Sequence, residues 1–284
     1  MEIKKVGVLG MTGVMGLGIT QVCAQSGYQV VASSRSEERL SKGLASIDKV
    51  LSRSVERGRL SQEDKNAVFS RIKGTTDTKD FHDCDLVVEV AAEDFELKKK
   101  IFAELDTICP KHAILASNTS VLPVVGLAVA TNRPDKVLGL HFFNPAPLMK
   151  LVEIVKTVTV SDETIAIGRK FTESLEKTPV VVPDKPGFIV NRLCVPYILN
   201  AIHLLDSGVA SKEDIDTAIT LGLNNPMGPL ALADLIGNDI IIAMADSMYQ
   251  DLQEHQYIVP PLLRRMVAAG WLGRKTGKGF YEYK

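Results

Sequence analysis

One histidine, one asparagine and one glutamate stand among apolar residues in Gly139-Leu-His-Phe-Phe-Asn-Pro-Ala-Pro-Leu-Met-Lys-Leu-Val-Glu153. Histidine takes up and returns a proton near neutral pH. A carboxylate bound to one ring nitrogen fixes the tautomer and makes the other nitrogen a better base. Residues 138–143 are mostly apolar and read as the end of a buried strand. Pro145 and Pro147 break regular structure just beyond it. Glu153 lies in a second apolar run, 151–155, from which it could return to His141. The same spacing also fits a hydrogen-bonded core histidine, and spacing by itself does not choose between the two.

A second group of residues suits a phosphate ligand. Val6-Gly-Val-Leu9 is a short strand that opens into Gly10-Met-Thr-Gly13-Val-Met-Gly16. A helix follows over about 17–26, and a second strand over 28–32. In this strand–turn–helix–strand order, the amides of the turn can approach a pyrophosphate, and the helix dipole favours its charge. Gly10, Thr12, Gly13, Val14, Met15 and Gly16 are therefore expected to touch a dinucleotide. The glycines are spaced G-x-x-G-x-x-G, one residue longer between the first two than in the common fingerprint, and Thr12 adds a hydroxyl. The second strand ends in Ser33-Ser34-Arg35-Ser36, where an NAD-binding unit normally has an acid for the ribose hydroxyls. A carboxylate would repel the 2′-phosphate of NADP, whereas a serine and an arginine would bind it. The expected cofactor is NADP(H), with NAD(H) possible. Ser36 also suits the N-cap of the next helix.

These groups need a scaffold to position them. Residues 37 to about 56 read as a long helix, with Arg53 and Arg57 on one side. This pair fits a solvated face and fits equally a phosphate clamp for a large anionic substrate. Further strands read as 84–92, 113–117 and 136–141. Glu93 follows the first, Asn118-Thr-Ser120 ends the second, and His141 ends the third. Lys98 lies near the start of the helix after Glu93. Polar groups at the carboxyl ends of successive apolar strands mark the ligand crevice of an open, mainly parallel α/β sheet. That placement raises His141 to a site residue.

The pattern changes after Pro186-Gly187. Apolar helical segments dominate, Asn191 stands as a polar residue within one of them, and Ser211 opens a capping box. The fold class is thus an α/β Rossmann-like domain, residues 1–185, followed by an all-α domain, 186–284. Helical faces of this kind commonly pair with a second copy, so a homodimer is expected. The 284 residues suit two domains, and 45% hydrophobic residues suit a large core. A net charge of -1 argues against a nucleic-acid partner. The four cysteines form no Cys-x-x-Cys pair, which argues against a metal site and for a reducing compartment. The N-terminus runs straight into a strand rather than a signal peptide, and no apolar run reaches the length of a membrane span. The expected location is cytoplasmic.

Several motifs together resemble the 3-hydroxyacyl-CoA dehydrogenase family, on its bacterial 3-hydroxybutyryl-CoA branch. They are Ala116-Ser-Asn-Thr-Ser120, Gly139 to Pro147, Met149-Lys-Leu-Val-Glu153, Pro186-Gly-Phe-Ile-Val-Asn-Arg192, Asn225-Pro-Met-Gly-Pro229 and Ala269 to Phe280. The resemblance spans nearly the whole chain. It implies that His141 is the catalytic base and Glu153 its orienting acid, and that Ser120 and Asn191 hold the substrate oxygen. It implies cofactor contacts at Glu93, Lys98, Ser120, Asn144 and Lys275, and places Arg53 and Arg57 where the coenzyme A phosphates bind. The family pattern fails at the turn, since relatives carry G-x-G-x-x-G and an aspartate at the position of Ser34. There the chain is more similar to NADP:deazaflavin oxidoreductases, over the first strand–helix–strand unit only. The implied reaction is hydride transfer between NADP(H) and an acyl-CoA. The alternatives are an NAD-dependent β-oxidation enzyme, an inactive crystallin-like relative, a nucleotide-sensing module, and a dehydrogenase of a free hydroxy acid.

Overall fold

A computed structural model describes residues 1–283, which divide into two compact units, 1–184 and 185 onward. The first contains one eight-stranded sheet: β1 (Lys5–Leu9), β2 (Gln29–Ser33), β3 (Ile72–Thr75), β4 (Leu86–Glu89), β5 (Ile114–Ser117), β6 (Val137–Phe142), β7 (Leu151–Lys156) and β8 (Thr178–Pro183). Its strand order is β3-β2-β1-β4-β5-β6-β7-β8. The pairings from β3 through β6 are parallel, β7 runs antiparallel to β6, and β8 is parallel to β7. Helices cover the sheet: α1 (Val14–Gln25), α2 (Glu37–Glu56), α3 (Gln62–Ser70), α4 (Phe95–Ile108), α5 (Val124–Ala128) and α6 (Asp162–Ser174). Strands covered on both faces must be apolar along their length. Val6 and Val8, Val30 and Ala32, and Val88 and Ala116 accordingly share one core with Ile19 and Cys23 of α1.

The strand order reverses between β1 and β4, which opens the crevice for a ligand at their carboxyl ends. The local chemistry makes the boundaries sharp. Ser36 caps α2, Ser61 caps α3, Asp94 caps α4 and Ser161 caps α6, each accepting a bond from a backbone amide of the first turn. Two expected boundaries move. α1 begins at Val14, not near residue 17, so Val14, Met15 and Gly16 form its first turn and not a loop. β4 ends at Glu89, so the acid at the strand end is Glu89, and Glu93 belongs to the following loop. α6 and β8 were not expected. Pro179 and Pro183 disguise β8 as a loop, and prolines are tolerated there because β8 is the sheet edge.

The second unit is helical: α7 (Val190–Asp206), α8 (Lys212–Gly222), α9 (Pro229–Ile236), α10 (Asn238–Leu252) and α11 (Pro261–Ala268). Asp216 of α8 accepts bonds from the amides of Leu230 and Ala231 in the first turn of α9, where helix amides have no intrahelical acceptor. Asp234 of α9 accepts from the amides of Phe280 and Tyr281 and from the Tyr283 hydroxyl, so it anchors the tail. A Cβ on Gly279 would lie 1.9 Å from Asp234 Oδ1, which explains a glycine in the tail there. Two isolated β-bridges, Gly273 with Lys278 and Lys278 with Glu282, are its only strand-like pairing among the described residues. No described helix is long and apolar enough to cross a membrane.

Candidate active site

The antiparallel register of β6 and β7 sets His141 directly opposite Glu153. Side chains of directly opposed residues lie side by side on one face of the sheet. His141 Nδ1 is 2.7 Å from Glu153 Oε2, and both residues are buried. The carboxylate accepts the Nδ1 proton, which directs Nε2 outward. Nε2 lies 3.2 Å from Ser120 Oγ. Twelve residues apart in the chain, His141 and Glu153 meet because residues 143–150 fold back between two adjacent strands.

Ser120 is itself held. Its amide donates to Glu93 Oε1 at 3.0 Å, and the Thr119 hydroxyl donates to Glu93 Oε2 at 3.0 Å. Asn118 Oδ1 accepts from the amide of Phe142 at 2.9 Å, tying the end of β5 to the residue after His141. Below this loop, Lys98 Nζ donates to Glu89 Oε1 at 2.7 Å, and Ser117 Oγ donates to Glu89 Oε2 at 2.8 Å. Lys98 and Glu89 are essentially inaccessible to water, and Lys98 Nζ stands 3.7 Å from Glu93. Asn144 is exposed on the loop after β6. Lys177, just before β8, donates to the carbonyls of Ala146 and Met149 at 2.6 and 2.7 Å. It thereby fixes that loop, and burial lowers its pKa from the usual lysine value. Sequence reasoning assigned no role to Glu89, Asn118 or Lys177. A buried-strand acid and a lysine at a strand edge were the available signals, but their partners are distant in sequence.

The glycine turn has distinct reasons at each position. Gly10 has φ of 101°, and a Cβ there would meet the Val90 carbonyl at 2.8 Å. A Cβ on Gly16 would press to 2.3 Å from the Gly10 carbonyl. A Cβ on Gly13 would meet nothing within 4 Å, so this glycine bares the amides at the start of α1 toward open space. The turn is pinned to the end of β2 by the Met11 amide, which donates to Ser33 O at 2.9 Å. These features fit a dinucleotide pyrophosphate. Thr12 and Arg35 are exposed, while Ser34 is buried and its hydroxyl has no hydrogen-bond partner among the described residues.

Arg53 and Arg57 are exposed at the end of α2. Beside them runs a groove of about 520 Å³ between α1, α2 and the loop after β6, lined by Leu17, Val50, Ser54, Arg59, Pro147 and Leu148. Asn191 and Lys275 belong to the second unit. Asn191 is the second residue of α7, half-buried. Lys275 is bound to Asp239 at 2.5 and 2.6 Å. Cys23, Cys84 and Cys109 are free and buried, and burial pushes each thiol up to about 12, so they serve as packing groups and not as nucleophiles.

Comparison with known proteins accords with this geometry. The 3-hydroxyacyl-CoA dehydrogenase NAD binding domain matches residues 5–185, and the C-terminal domain of the same family matches residues 187–283. The chain belongs to the 3-hydroxyacyl-CoA dehydrogenase family. As a 3-hydroxyacyl-CoA dehydrogenase family member it is an oxidoreductase, and its first unit is the family's dinucleotide-binding domain. A 3-hydroxybutyryl-CoA dehydrogenase of Clostridioides difficile is 44% identical over 279 residues, 98% of this chain and 99% of that one. The mitochondrial hydroxyacyl-coenzyme A dehydrogenase of Sus scrofa is 43% identical over 290 residues, 99% and 92% of the respective chains. The crystal structure of (S)-3-hydroxybutyryl-CoA dehydrogenase from Ralstonia eutropha, 42% identical, matches with a TM-score of 0.96 over 100% of both chains.

Proposed function

We propose that the chain catalyses reversible hydride transfer between NADP(H) and C3 of a short-chain 3-hydroxyacyl-CoA, with 3-hydroxybutyryl-CoA and acetoacetyl-CoA as the substrate pair. NAD(H) is the poorer cofactor in this reading. The observation that carries it is the relay of Glu153, His141 and Ser120, with contacts of 2.7 and 3.2 Å on the two sides of the imidazole. The names of relatives 42–47% identical over nearly the whole chain support the substrate.

When bound, the dinucleotide supplies or accepts the hydride at its nicotinamide. In the reducing direction, protonated His141 gives its Nε2 proton to the oxygen forming at C3, and in the oxidising direction it takes that proton back. Glu153 stabilises the imidazolium. Ser120 and Asn191 hydrogen-bond the oxygen as charge builds up on it. Glu93 restrains Ser120 through its amide, and Glu93, Lys98, Asn144 and Lys275 serve the cofactor. Arg53 and Arg57 bind the coenzyme A phosphates, and the apolar groove beside them receives the less polar part of the coenzyme. Cofactor choice rests on Thr12, Ser34 and Arg35. No acid stands at the end of β2 to repel a 2′-phosphate, and Ser34 carries a hydroxyl without a partner there. We further propose a cytoplasmic homodimer; free, buried cysteines suit a reducing compartment.

The test is turnover of acetoacetyl-CoA by His141→Ala. Loss of general acid–base catalysis lowers kcat by roughly 10²–10⁴-fold. NADPH binding, measured by fluorescence, stays near that of the unaltered protein. Near-full activity in this variant contradicts the assignment of His141. Product formation from acetoacetyl-CoA, and its absence from free acetoacetate, separates the proposal from a sensing module, a structural relative and a free hydroxy-acid enzyme.

A further inference from the structure

The first turns of α2 carry a charge arrangement that the relay does not use. Glu37 Oε1 accepts from the Thr76 hydroxyl at 3.1 Å, which holds that acid toward the end of β3. Glu38 is paired with Lys42 at 2.5 Å. Arg35 and Arg39 are both exposed, and neither has an acidic partner among the described residues. The acids of this turn are thus engaged, and two guanidinium groups stand without partners at the positive end of a helix dipole.

The packing of α2 sets its first turns beside the glycine turn. Gly43 lies one helical turn after it, on the same face. A Cβ on Gly43 would meet Met11 Cε at 2.9 Å and Leu17 Cδ2 at 3.2 Å, so α2 lies against the side chains of the β1–α1 turn and the helix after it. Arg39 and Thr12 border the same recess. Thr12, Arg39, Lys42, Gly43 and Ser46 line a single recess of about 220 Å³. The Ser34 hydroxyl, buried and unpartnered, sits at the end of the strand that leads into this helix.

We propose that this recess is the 2′-phosphate pocket of NADP(H), and that Arg39 is a specificity-determining residue acting with Arg35. The inference rests on the NADP(H) reading above and adds to it the residue that holds the phosphate from the helix side. A guanidinium offers paired donors to phosphate oxygens, Thr12 adds a hydroxyl, and Lys42, already shared with Glu38, contributes a weaker charge. The extra residue in the glycine turn has a purpose in this arrangement: it carries Thr12 out to the wall of α2.

The test compares NADPH and NADH as substrates of the full chain, with acetoacetyl-CoA, for the unaltered protein, Arg39→Ala, Arg39→Lys and Arg35→Ala. The readout is the ratio of kcat/KM for NADPH to that for NADH, which a general loss of fold or activity does not move. The expected result is a fall in this ratio of roughly tenfold or more for Arg39→Ala, the scale of a lost charge-assisted bond to phosphate, with partial recovery in Arg39→Lys. A ratio within about twofold of the unaltered protein, while Arg35→Ala abolishes the preference, overturns the role of Arg39 and leaves the NADP(H) reading standing. An unchanged ratio with a roughly tenfold rise in KM for acetoacetyl-CoA also overturns it, and assigns the recess to the coenzyme A 3′-phosphate. A preference for NADH in the unaltered protein removes the NADP(H) reading and this inference together.

Discussion

Burial decides what each polar residue of the relay can do. Glu153 is inaccessible to water and lies against His141, so Glu153→Ala removes the group that sets the imidazole tautomer. The expected outcome is a fall in kcat of roughly 10²-fold, toward the lower end for a general acid–base group, with little change in KM for the cofactor. Steady-state kinetics check it, and a kcat within about twofold of the unaltered protein rejects the pairing as functional. Glu89 poses the opposite case. It compensates the buried ammonium of Lys98, so Glu89→Ala leaves a charge in a dry site and costs about 3–5 kcal/mol of stability. Denaturant unfolding reads this directly. Stability unchanged within about 0.5 kcal/mol shows that the pair is not needed to hold the loop beneath Glu93.

At the scale of elements, the turn between β1 and α1 separates packing from binding. Gly16 is required by the fold, because its Cβ would collide with the Gly10 carbonyl. Gly13 faces open space with φ of -85°, a conformation any residue adopts. Gly13→Ala therefore keeps the melting temperature within about 2 °C, yet raises KM for NADPH severalfold by placing a methyl over the bared amides. A drop in melting temperature with unaltered KM reverses that reading. The same elements show how much was legible beforehand. α2 was readable from its start, where Ser36 caps it, to about its end, because a polar face recurs along it. The strands at the crevice were readable as apolar runs ending in polar groups. What escaped was non-local. The pairing of His141 with Glu153 was legible as a possibility, and the family resemblance implied it, but nothing in the two runs specifies the antiparallel register that sets them opposite. β8 was hidden by its prolines, and Lys177 by partners about 30 residues away. The tail glycine at 279 had a reason only once Asp234 was seen beside it.

At the scale of the whole molecule, the second unit displays large apolar side chains. Leu193, Val209, Leu221 and Leu223 are 66–80% exposed. Association would remove such side chains from water, and a second copy of the chain is the partner we propose. Sedimentation is expected to give twice the mass of one chain, with Leu221→Asp shifting the protein toward the monomer; a monomer in the unaltered protein contradicts the dimer. The central claim is the reaction itself, and absorbance at 340 nm measures it most directly. The expected result is oxidation of NADPH on addition of acetoacetyl-CoA, with kcat/KM higher than for NADH. No change in absorbance with either cofactor contradicts it.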